Sequence, residues 1–418
     1  MATMISLEEA QALVQANVGR MPVETVGILD AAGRVAAADL ASDIDVSPFA
    51  HAAMDGFALM HEDIAAATES EPVSLEVIAD VPAGSVFEGT LEHGQCVRIM
   101  TGAATPAQAD AVVKYEIVDV LEGDGKTGST VAFSKPAAAG DNIRAAGEEA
   151  KAGQTVVREG EVIGTAGIGF LAGCGMIEAP VYARPRVAVI AIGSELVAPT
   201  EMPAPGHIRN SNSYALAACA RAAGCTVDIF PIVRDDEDRL AETVLEAVRD
   251  HDFVVTSGGA SNGDFDFIKP VVERLGTLLM TTVNMRPGKA QTFGLVNGTP
   301  VFGLPGNPAA AYVGFEMIIR PALRKMQGYS ALSHPIVKAR LTADRKKKDP
   351  RRLFMRATIT KAEDGTLEVT PAKNQSSGLF GVIQKTNCMA IVPEDITFLE
   401  AGSLIDCVLL DVPEEVVL

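Results

Sequence analysis

The sequence of 418 residues contains no tryptophan, and aromatic residues make up only 5% of it. Hydrophobic residues still account for 48%, so aliphatic side chains must form the buried cores. No apolar run approaches the roughly 20 residues that cross a bilayer. The N-terminus also lacks the charged and apolar regions of a signal peptide. We therefore expect a cytoplasmic protein that does not use a membrane as a partner.

Cysteine is sparse, and no pair of cysteines has the CxxC spacing of a structural zinc site. A chain of this length does not need disulfides to stabilise its fold, so we expect the thiols to be reduced and mostly buried. The histidines are scattered without an HExxH pattern, so none is assigned a metal. The cysteines are Cys96, Cys174, Cys219, Cys225, Cys388 and Cys407.

Positive charge is also in deficit, since 35 basic against 54 acidic residues give a net charge of −19. This balance argues against nucleic acid and anionic membranes as partners. A small anionic substrate remains compatible, provided that basic groups are concentrated where it binds. Residues 345–352 (RKKKDPRR) are the densest basic run. This run is either a solvated hairpin loop or an anion-attracting lip of the site.

The order of sequence patterns predicts several domains. A capping box at residues 6–9 begins a helix, and short strands separated by turns follow. From Arg186 onward, strands alternate with helices, which predicts a wound α/β sheet. After Ser330 the pattern is that of a small β-barrel or sandwich. The expected domains are a mixed α/β domain (1–47 with 145–180), a β-rich insertion (48–144), the wound domain (181–329) and a β domain (330–418).

Four loops of the wound domain follow predicted strands, at residues 193–196, 233–236, 256–266 and 304–308. If the strands are parallel, these loops meet at the ligand-binding edge of the sheet. The third loop is the richest in glycine, which lets backbone amides approach a phosphate. The alternative is an ordinary strand-to-helix turn. The candidate phosphate-binding residues of this loop are Ser257, Gly258, Gly259, Ser261 and Gly263.

Carboxylates accompany these loops, at Glu195, Asp235 or Asp236, Asp264 and Asp266. Carboxylates alone would repel a phosphate, so their presence favours a Mg²⁺ ion between them and the substrate. The alternative is that they cap helices and turns. For Asp235 and Asp236 the two interpretations have equal weight.

Two further segments of the wound domain contain turns. Arg286 and Lys289 occupy a constrained turn, RPGK, that suits a phosphate or an oxyanion such as molybdate. Residues 304–308 (LPGNP) form a turn that enters a helix, with Pro308 at an early helical position. Taken alone, the RPGK segment is more simply a solvated basic turn. The LPGNP segment, taken alone, is more simply a turn followed by a helix start.

Two segments of the β-rich insertion carry polar residues in apolar surroundings. Asp55 precedes Gly56, and Thr101 precedes Gly102. An Asp-Gly pair is common in hairpin turns, which is the structural alternative for Asp55.

Six segments together resemble one family. These are residues 53–58 (AMDGFA), 98–103 (RIMTGA), 142–148 (NIRAAGE), 256–266 (TSGGASNGDFD), 286–289 (RPGK) and 304–308 (LPGNP). Their order and spacing resemble those of the molybdopterin molybdenumtransferases, the MoeA family, which includes the E domain of gephyrin. The resemblance covers essentially the whole chain.

The resemblance implies an elongated homodimer of four-domain subunits with a MogA-like wound α/β domain and a C-terminal β-barrel. It implies that molybdate and adenylyl-molybdopterin are the substrates, and that Mg²⁺-dependent hydrolysis releases AMP and the metallated cofactor. The site would lie between the β-rich insertion of one subunit and the α/β domain of the other. Candidate protein partners are a molybdopterin adenylyltransferase and molybdoenzyme chaperones.

The resemblance also assigns roles to residues at matching positions. Catalytic positions are Asp55, Thr101, Glu195 and Asp266, and metal-binding positions are Glu195, Asp235 and Asp266. Substrate-binding positions are Arg144, Ser257, Gly258, Gly259, Ser261, Arg286, Lys289, Pro305, Asn307 and Pro308.

Some positions depart from the family pattern. Glu149, Asn210 and Arg286 stand where relatives often have Asp, Asp and Lys, and Ala260 and Asn262 replace frequent valines. These departures leave a preference for tungstate open. A non-catalytic scaffold of the same fold, as in gephyrin, and a generic nucleotide hydrolase are competing functions.

Overall fold

The computed structural model describes residues 4–260 and 267–410. The chain divides into two compact units. One contains the residues up to Glu24 together with those from Tyr182 onward, and the other is Thr25–Val181. Within the described ranges, no helix has the length and apolar character needed to cross a bilayer.

The first part of the chain, up to Tyr182, is mostly β. Short 3-10 helices lie at Ile28–Ala31, His61–Ile64 and Tyr115–Ile117. The other elements are α1 (Leu7–Ala16), β1 (Val23–Gly27), β2 (Leu40–Ala41), β3 (His51–Ala52), β4 (Gly56–Leu59), β5 (Val73–Val81), β6 (Gln95–Ile99), β7 (Ala111–Lys114), β8 (Val118–Glu122), β9 (Thr130–Phe133), β10 (Ile143–Arg144), β11 (Thr155–Val157), α2 (Thr165–Gly173) and β12 (Glu178–Tyr182).

Residues 186–326 contain both strands and helices. The elements are β13 (Arg186–Ala191), β14 (Leu196–Val197), β15 (Ile208–Arg209), α3 (Asn212–Ala222), β16 (Thr226–Ile229), α4 (Glu237–Asp250), β17 (Phe253–Ser257), α5 (Ile268–Leu275), β18 (Gly276–Thr282), β19 (Met285–Arg286), β20 (Ala290–Val296), β21 (Thr299–Leu304), α6 (Pro308–Gly314) and α7 (Arg320–Met326).

The remaining elements are strands and one helical turn. They are β22 (Ile336–Leu341), β23 (Arg345–Lys346), β24 (Arg352–Lys361), β25 (Leu367–Pro371), α8 (Phe380–Ile383), β26 (Cys388–Val392), β27 (Phe398–Leu399) and β28 (Leu404–Leu409).

The predicted β-rich insertion contains a sheet with the strand order β7-β4-β6-β5-β9-β8. Apolar side chains cover both of its faces. Phe57, Leu59 and Phe133 belong to one cluster, and Ala58 and Ile99 belong to the other. This alternation along β4 is the period-two pattern of a strand with two buried faces.

The wound α/β domain confirms the predicted alternation. Its sheet has the order β16-β13-β17-β21-β20-β18. The pairs β16–β13, β13–β17 and β17–β21 are parallel, whereas β20 and β18 run antiparallel to their neighbours. The parallel part therefore brings the ends of four strands to one edge, as expected from the sequence.

The C-terminal region forms a closed five-stranded barrel. The strands follow the order β24-β25-β22-β28-β26, and pairing of β26 with β24 closes it. Buried aliphatic residues and two of the cysteines fill the interior. Closure removes the exposed strand edges that an open sheet of this size would have. All six cysteines of the chain are buried, as expected.

Two helices show how the sequence sets local structure. The hydroxyl of Ser6 accepts from the Glu9 amide and the Glu9 carboxylate accepts from the Ser6 amide, so the predicted capping box begins α1. The helix predicted near 308–326 is continuous but contains a π-helical turn at Phe315–Ile319. Pro321 has no amide hydrogen to bond the Met317 carbonyl. The Gln11 side chain donates to that carbonyl instead, at 2.6 Å.

Substituting Gly56 with alanine tests how tightly the insertion sheet is packed. A Cβ at this position would lie 2.0 Å from the carbonyl oxygen of Val113 on the adjacent strand. We expect Gly56→Ala to lower the free energy of unfolding by about 2 kcal/mol or more in urea titrations.

Gly169→Ala is the matched control, because Gly169 lies inside α2 with open space around it. That change should be neutral or raise stability by up to about 1 kcal/mol. Equal effects of the two substitutions would contradict the packing described for β4.

Candidate active site

The loops that end the parallel strands contact one another at the edge of the wound sheet. Gly258 has a φ of +89°, and a Cβ there would lie 2.1 Å from the carbonyl oxygen of Ile192. Its amide donates to the Leu304 carbonyl at 3.1 Å. Gly258 therefore permits close loop packing, and its amide is already bonded within the protein. The expectation that this amide binds phosphate does not fit this arrangement.

Asn212, which the sequence did not identify as a site residue, joins two of these loops. Its amide group donates to the Ser257 hydroxyl at 2.7 Å and to the Gly306 carbonyl at 2.8 Å. The buried Oδ1 of Asn212 has no hydrogen-bond partner within the described residues. Ser257 is itself buried and also donates to Pro305 at 3.4 Å. Ser257 thus connects loops, whereas Asn212 directs an unused acceptor at this edge.

The carboxylates of the first two loops lie around Ser194. Asp235 Oδ2 accepts from the Ser194 amide at 3.0 Å, and the Asp235 amide donates to the Ser194 hydroxyl at 3.1 Å. The Glu195 carboxylate is exposed and folds over Gly193. Asp236 instead caps α4 by accepting from the Arg239 amide. The capping interpretation therefore holds for Asp236, and Asp235 lies beside Ser194.

Residues 285–289, here called the cationic turn, carry Arg286 and Lys289. Arg286 pairs with Asp349 at 3.4 Å. Lys289 is exposed and forms no ion pair among the described residues. Gly288 has a φ of +101°, and a Cβ there would lie 3.3 Å from the Ala310 carbonyl of α6. The turn thus packs against the first turns of α6 and presents one uncommitted cation.

The start of α6 is in contact with a C-terminal segment that the sequence did not indicate. Asn307 is the N-cap position and Pro308 follows it at the first turn, as expected. The Ala309 amide donates to the Ser377 carbonyl at 2.8 Å. Arg356, only 1% exposed, donates to the neighbouring Ser376 carbonyl, and its Nε has no hydrogen-bond partner in the described chain. A lone arginine inside a strand gives no sequence signal of this placement.

In the other unit, Asp55 and Thr101 are in direct contact. The amide and the hydroxyl of Thr101 both donate to Asp55 Oδ1, each at 2.7 Å. These bonds hold the pKa of the Asp55 carboxyl below its ordinary value, with the Thr101 amide as the main cause. Gly56 lies in β4, paired with Lys114 and Ile99, so the hairpin-turn alternative for Asp55 is wrong.

Arg144 lines an exposed groove of about 570 Å³ in the same unit. It lies in β10 opposite His51 of β3, and it forms an exposed ion pair with Glu148 at 3.5 Å. Glu149 also lines the groove. An exposed ion pair of this kind is weak, so it constrains the Arg144 side chain little.

Other expected positions lie outside the described residues. These are Ser261, Gly263, Asp264 and Asp266. Within the described ranges, no group of three or more His, Cys, Asp or Glu side chains is arranged to hold a metal ion. The basic run 345–352 is not simply a solvated loop, because several of its side chains have partners inside the protein.

Comparison with known proteins identifies the family. Models described as "MoeA N-terminal region (domain I and II)", "Probable molybdopterin binding domain" and "MoeA C-terminal region (domain IV)" match residues 5–175, 188–325 and 338–410. The molybdopterin molybdenumtransferase of Staphylococcus aureus (strain COL) is 36% identical over 408 residues, which cover 97% of this chain and 96% of that protein. The chain belongs to the molybdopterin molybdenumtransferase family.

A second relative and a solved structure support the same family assignment. The molybdopterin molybdenumtransferase of Staphylococcus epidermidis (strain ATCC 12228) is 35% identical over 412 residues, covering 98% of this chain and 96% of that protein. A crystal structure of the molybdopterin biosynthesis MoeA protein of Pyrococcus horikoshii has a TM-score of 0.81 and 31% identity. It covers 97% of this chain and 99% of that one. The MoeA fold, with its MogA-like domain and C-terminal barrel, is thereby confirmed.

The Asp55–Thr101 contact predicts a measurable change in titration. Thr101→Val removes the hydroxyl donor and keeps the amide, so the pKa of Asp55 should rise toward its ordinary value. Carboxyl chemical shifts followed by NMR across acidic pH would measure it. Thr105→Val is the control, because the Thr105 hydroxyl donates to the Ala50 carbonyl. An unchanged Asp55 pKa in Thr101→Val would contradict the contact.

Proposed function

We propose that the protein inserts molybdate into adenylyl-molybdopterin and releases AMP and the molybdenum cofactor. Support comes from relatives named molybdopterin molybdenumtransferase, which are 36% and 35% identical to this chain over nearly its full length. The site geometry is compatible with this chemistry, since carboxylates, a constrained cationic turn and a polar loop edge lie at strand ends. Adenylyl-molybdopterin and molybdate are both anions, which explains a need for local cations in an acidic chain.

Asp55 carries the clearest chemical assignment. A carboxylate with a lowered pKa stays charged and is a weak base, so it suits orientation of the attacking water better than removal of its proton. Thr101 occupies Oδ1, and Oδ2 accepts no hydrogen bond within the described chain. Oδ2 would accept from that water, and Thr101 would hold the carboxylate in place.

The wound domain supplies groups for the phosphates and for Mg²⁺. Glu195 and Asp235, with Asp266, offer the oxygen ligands that Mg²⁺ prefers. The Glu195 carboxylate and Asp235 Oδ1 make no hydrogen bond among the described residues, so both are free to coordinate. When bound, Mg²⁺ would neutralise charge on the phosphoanhydride.

The remaining assigned residues would bind the anionic substrates. Lys289, Arg286 and Arg144 would contact phosphate or molybdate. Gly259, Ser261, Pro305, Asn307 and Pro308 would contact the same substrates, and Ser257 and Gly258 would connect the loops around them.

The rest of the proposal concerns organisation. The chain would act as a cytoplasmic homodimer, with the domain limits predicted from the sequence. A molybdopterin adenylyltransferase would be a natural protein partner, because it supplies the adenylylated substrate. A non-catalytic scaffold is less compatible with the contact between Asp55 and Thr101. A tungstate preference has no structural support.

Release of AMP from adenylyl-molybdopterin, with and without molybdate, tests the proposed function. We expect the purified protein with Mg²⁺ to release AMP quickly only when molybdate is present. No release under either condition would favour the scaffold. Equally fast release without molybdate would favour a nucleotide hydrolase.

Asp55→Asn is the sharpest single substitution. It keeps the side-chain shape and removes the charge, so turnover should fall about 100-fold or more while thermal stability barely changes. Asp119→Asn is the control, because Asp119 is an exposed aspartate in β8 of the same sheet. A near wild-type turnover of Asp55→Asn would remove Asp55 from the reaction.

A further inference from the structure

The basic run 345–352 is folded into the protein and adjoins the cationic turn. Lys347 of this run is only 6% exposed. The Lys347 ammonium donates to the carbonyls of Arg351, at 3.1 Å, Glu394, at 2.9 Å, and Pro393. A buried ammonium with three carbonyl acceptors is fully satisfied. Lys347 therefore fixes the conformation of the loop that leads to Arg351.

Asp349 and Arg351 form the core of this loop. Asp349 Oδ1 accepts from the Arg351 amide at 3.0 Å and from Arg351 Nε at 2.8 Å, and Oδ2 pairs with Arg351 Nη2. Asp349 is mostly buried, at 15% exposure. Its bonds to Arg351 hold the pKa of the carboxyl well below the usual range. The planar two-point contact gives this pair a defined orientation.

The pair contacts the cationic turn at two points. Arg351 Nη1 donates to the Met285 carbonyl at 3.4 Å, and Asp349 Oδ2 accepts from Arg286 Nη1 at 3.4 Å. Strand pairing adds a third connection, because Met285 lies opposite Arg352, and Arg286 opposite Leu353. One side of the turn is thus held by the barrel through backbone and charged contacts.

The other side of the turn is held by the wound domain. The buried Gln291 side chain donates to the Gly288 carbonyl at 2.6 Å and contacts the Met285 sulfur. The turn is therefore clamped between Gln291 and the pair formed by Asp349 and Arg351. Lys289 is the cation that this clamp leaves without an internal partner among the described residues.

We propose that Asp349 and Arg351 are positioning residues that hold the cationic turn in the conformation that binds the anionic substrate. The inference rests on the proposed function. An arginine side chain and a loop that are already ordered lose less conformational entropy on binding.

Asp349→Asn tests the proposal, because it keeps the side-chain shape and removes the charge. We expect KM for adenylyl-molybdopterin to rise about tenfold and kcat to change less than about threefold, since binding geometry is lost rather than a reacting group. Asp406→Asn is the matched control. Asp406 forms an ion pair with Lys338 at 3.0 Å on the same barrel, and KM should stay at the wild-type value.

A double-mutant cycle tests whether Asp349 and Arg351 act as one unit. If they do, Asp349→Asn should add little to the effect of Arg351→Gln on KM. Restoration of most of the wild-type KM by Asp349→Glu would support a role for the charge. If the two substitutions raise KM independently, so that their effects multiply, the proposal is overturned. An unchanged KM in Asp349→Asn would overturn it as well.

Amide hydrogen exchange of residues 285–290 gives a readout that does not depend on activity. Exchange should accelerate in Asp349→Asn and stay unchanged in Asp406→Asn. If Asp349→Asn does not fold, exchange is measured on the double variant Asp349→Asn/Arg351→Gln. This variant replaces both charges by amides. An inactive wild type would refute the proposed function, and the exchange result would still decide whether the pair holds the turn. Unchanged exchange would overturn the proposal.

Discussion

The parallel alignment of β16, β13, β17 and β21 is the constraint on which the site depends. It places the ends of four strands at one edge, where their loops must pack closely. The approach is so close that a Cβ at Gly258 would lie 2.1 Å from the Ile192 carbonyl oxygen. Asn212 then joins two of the loops by hydrogen bonds. Carboxylates and amides far apart in sequence become neighbours because the sheet fixes them.

The basic side chains near this edge differ in whether they have partners within the protein. The chain carries a net charge of −19, and many basic side chains are paired inside the protein. Lys347 is bonded to carbonyls, and Arg351 is paired with Asp349. Lys289, by contrast, has no internal ion pair in the described chain. An acidic protein can bind an anion when a cation without an internal partner lies on a loop of this edge, as Lys289 does here.

Local and periodic features could be predicted from the sequence, whereas contacts between distant segments could not. The Ser6 capping box and the strand–helix alternation depend on neighbouring residues, and both were confirmed. The π-helical turn at Phe315–Ile319 was not expected, and the Met317 carbonyl within it accepts from Gln11, which lies 306 positions away. The partners of Asn212 lie tens of residues away, and so does Arg286, the residue through which Asp349 contacts the cationic turn. For Asp55 the sequence left two interpretations, and strand pairing of Gly56 excluded the turn.

The molybdenum content of the pterin product tests the proposed function most directly. Metal transfer gives a pterin that contains molybdenum, whereas hydrolysis alone leaves the pterin metal-free. The protein would be incubated with adenylyl-molybdopterin, molybdate and Mg²⁺, and the released pterin separated from the protein for molybdenum analysis. The proposed reaction predicts about one molybdenum per pterin, formed in step with AMP. Release of AMP with a metal-free pterin would contradict the account.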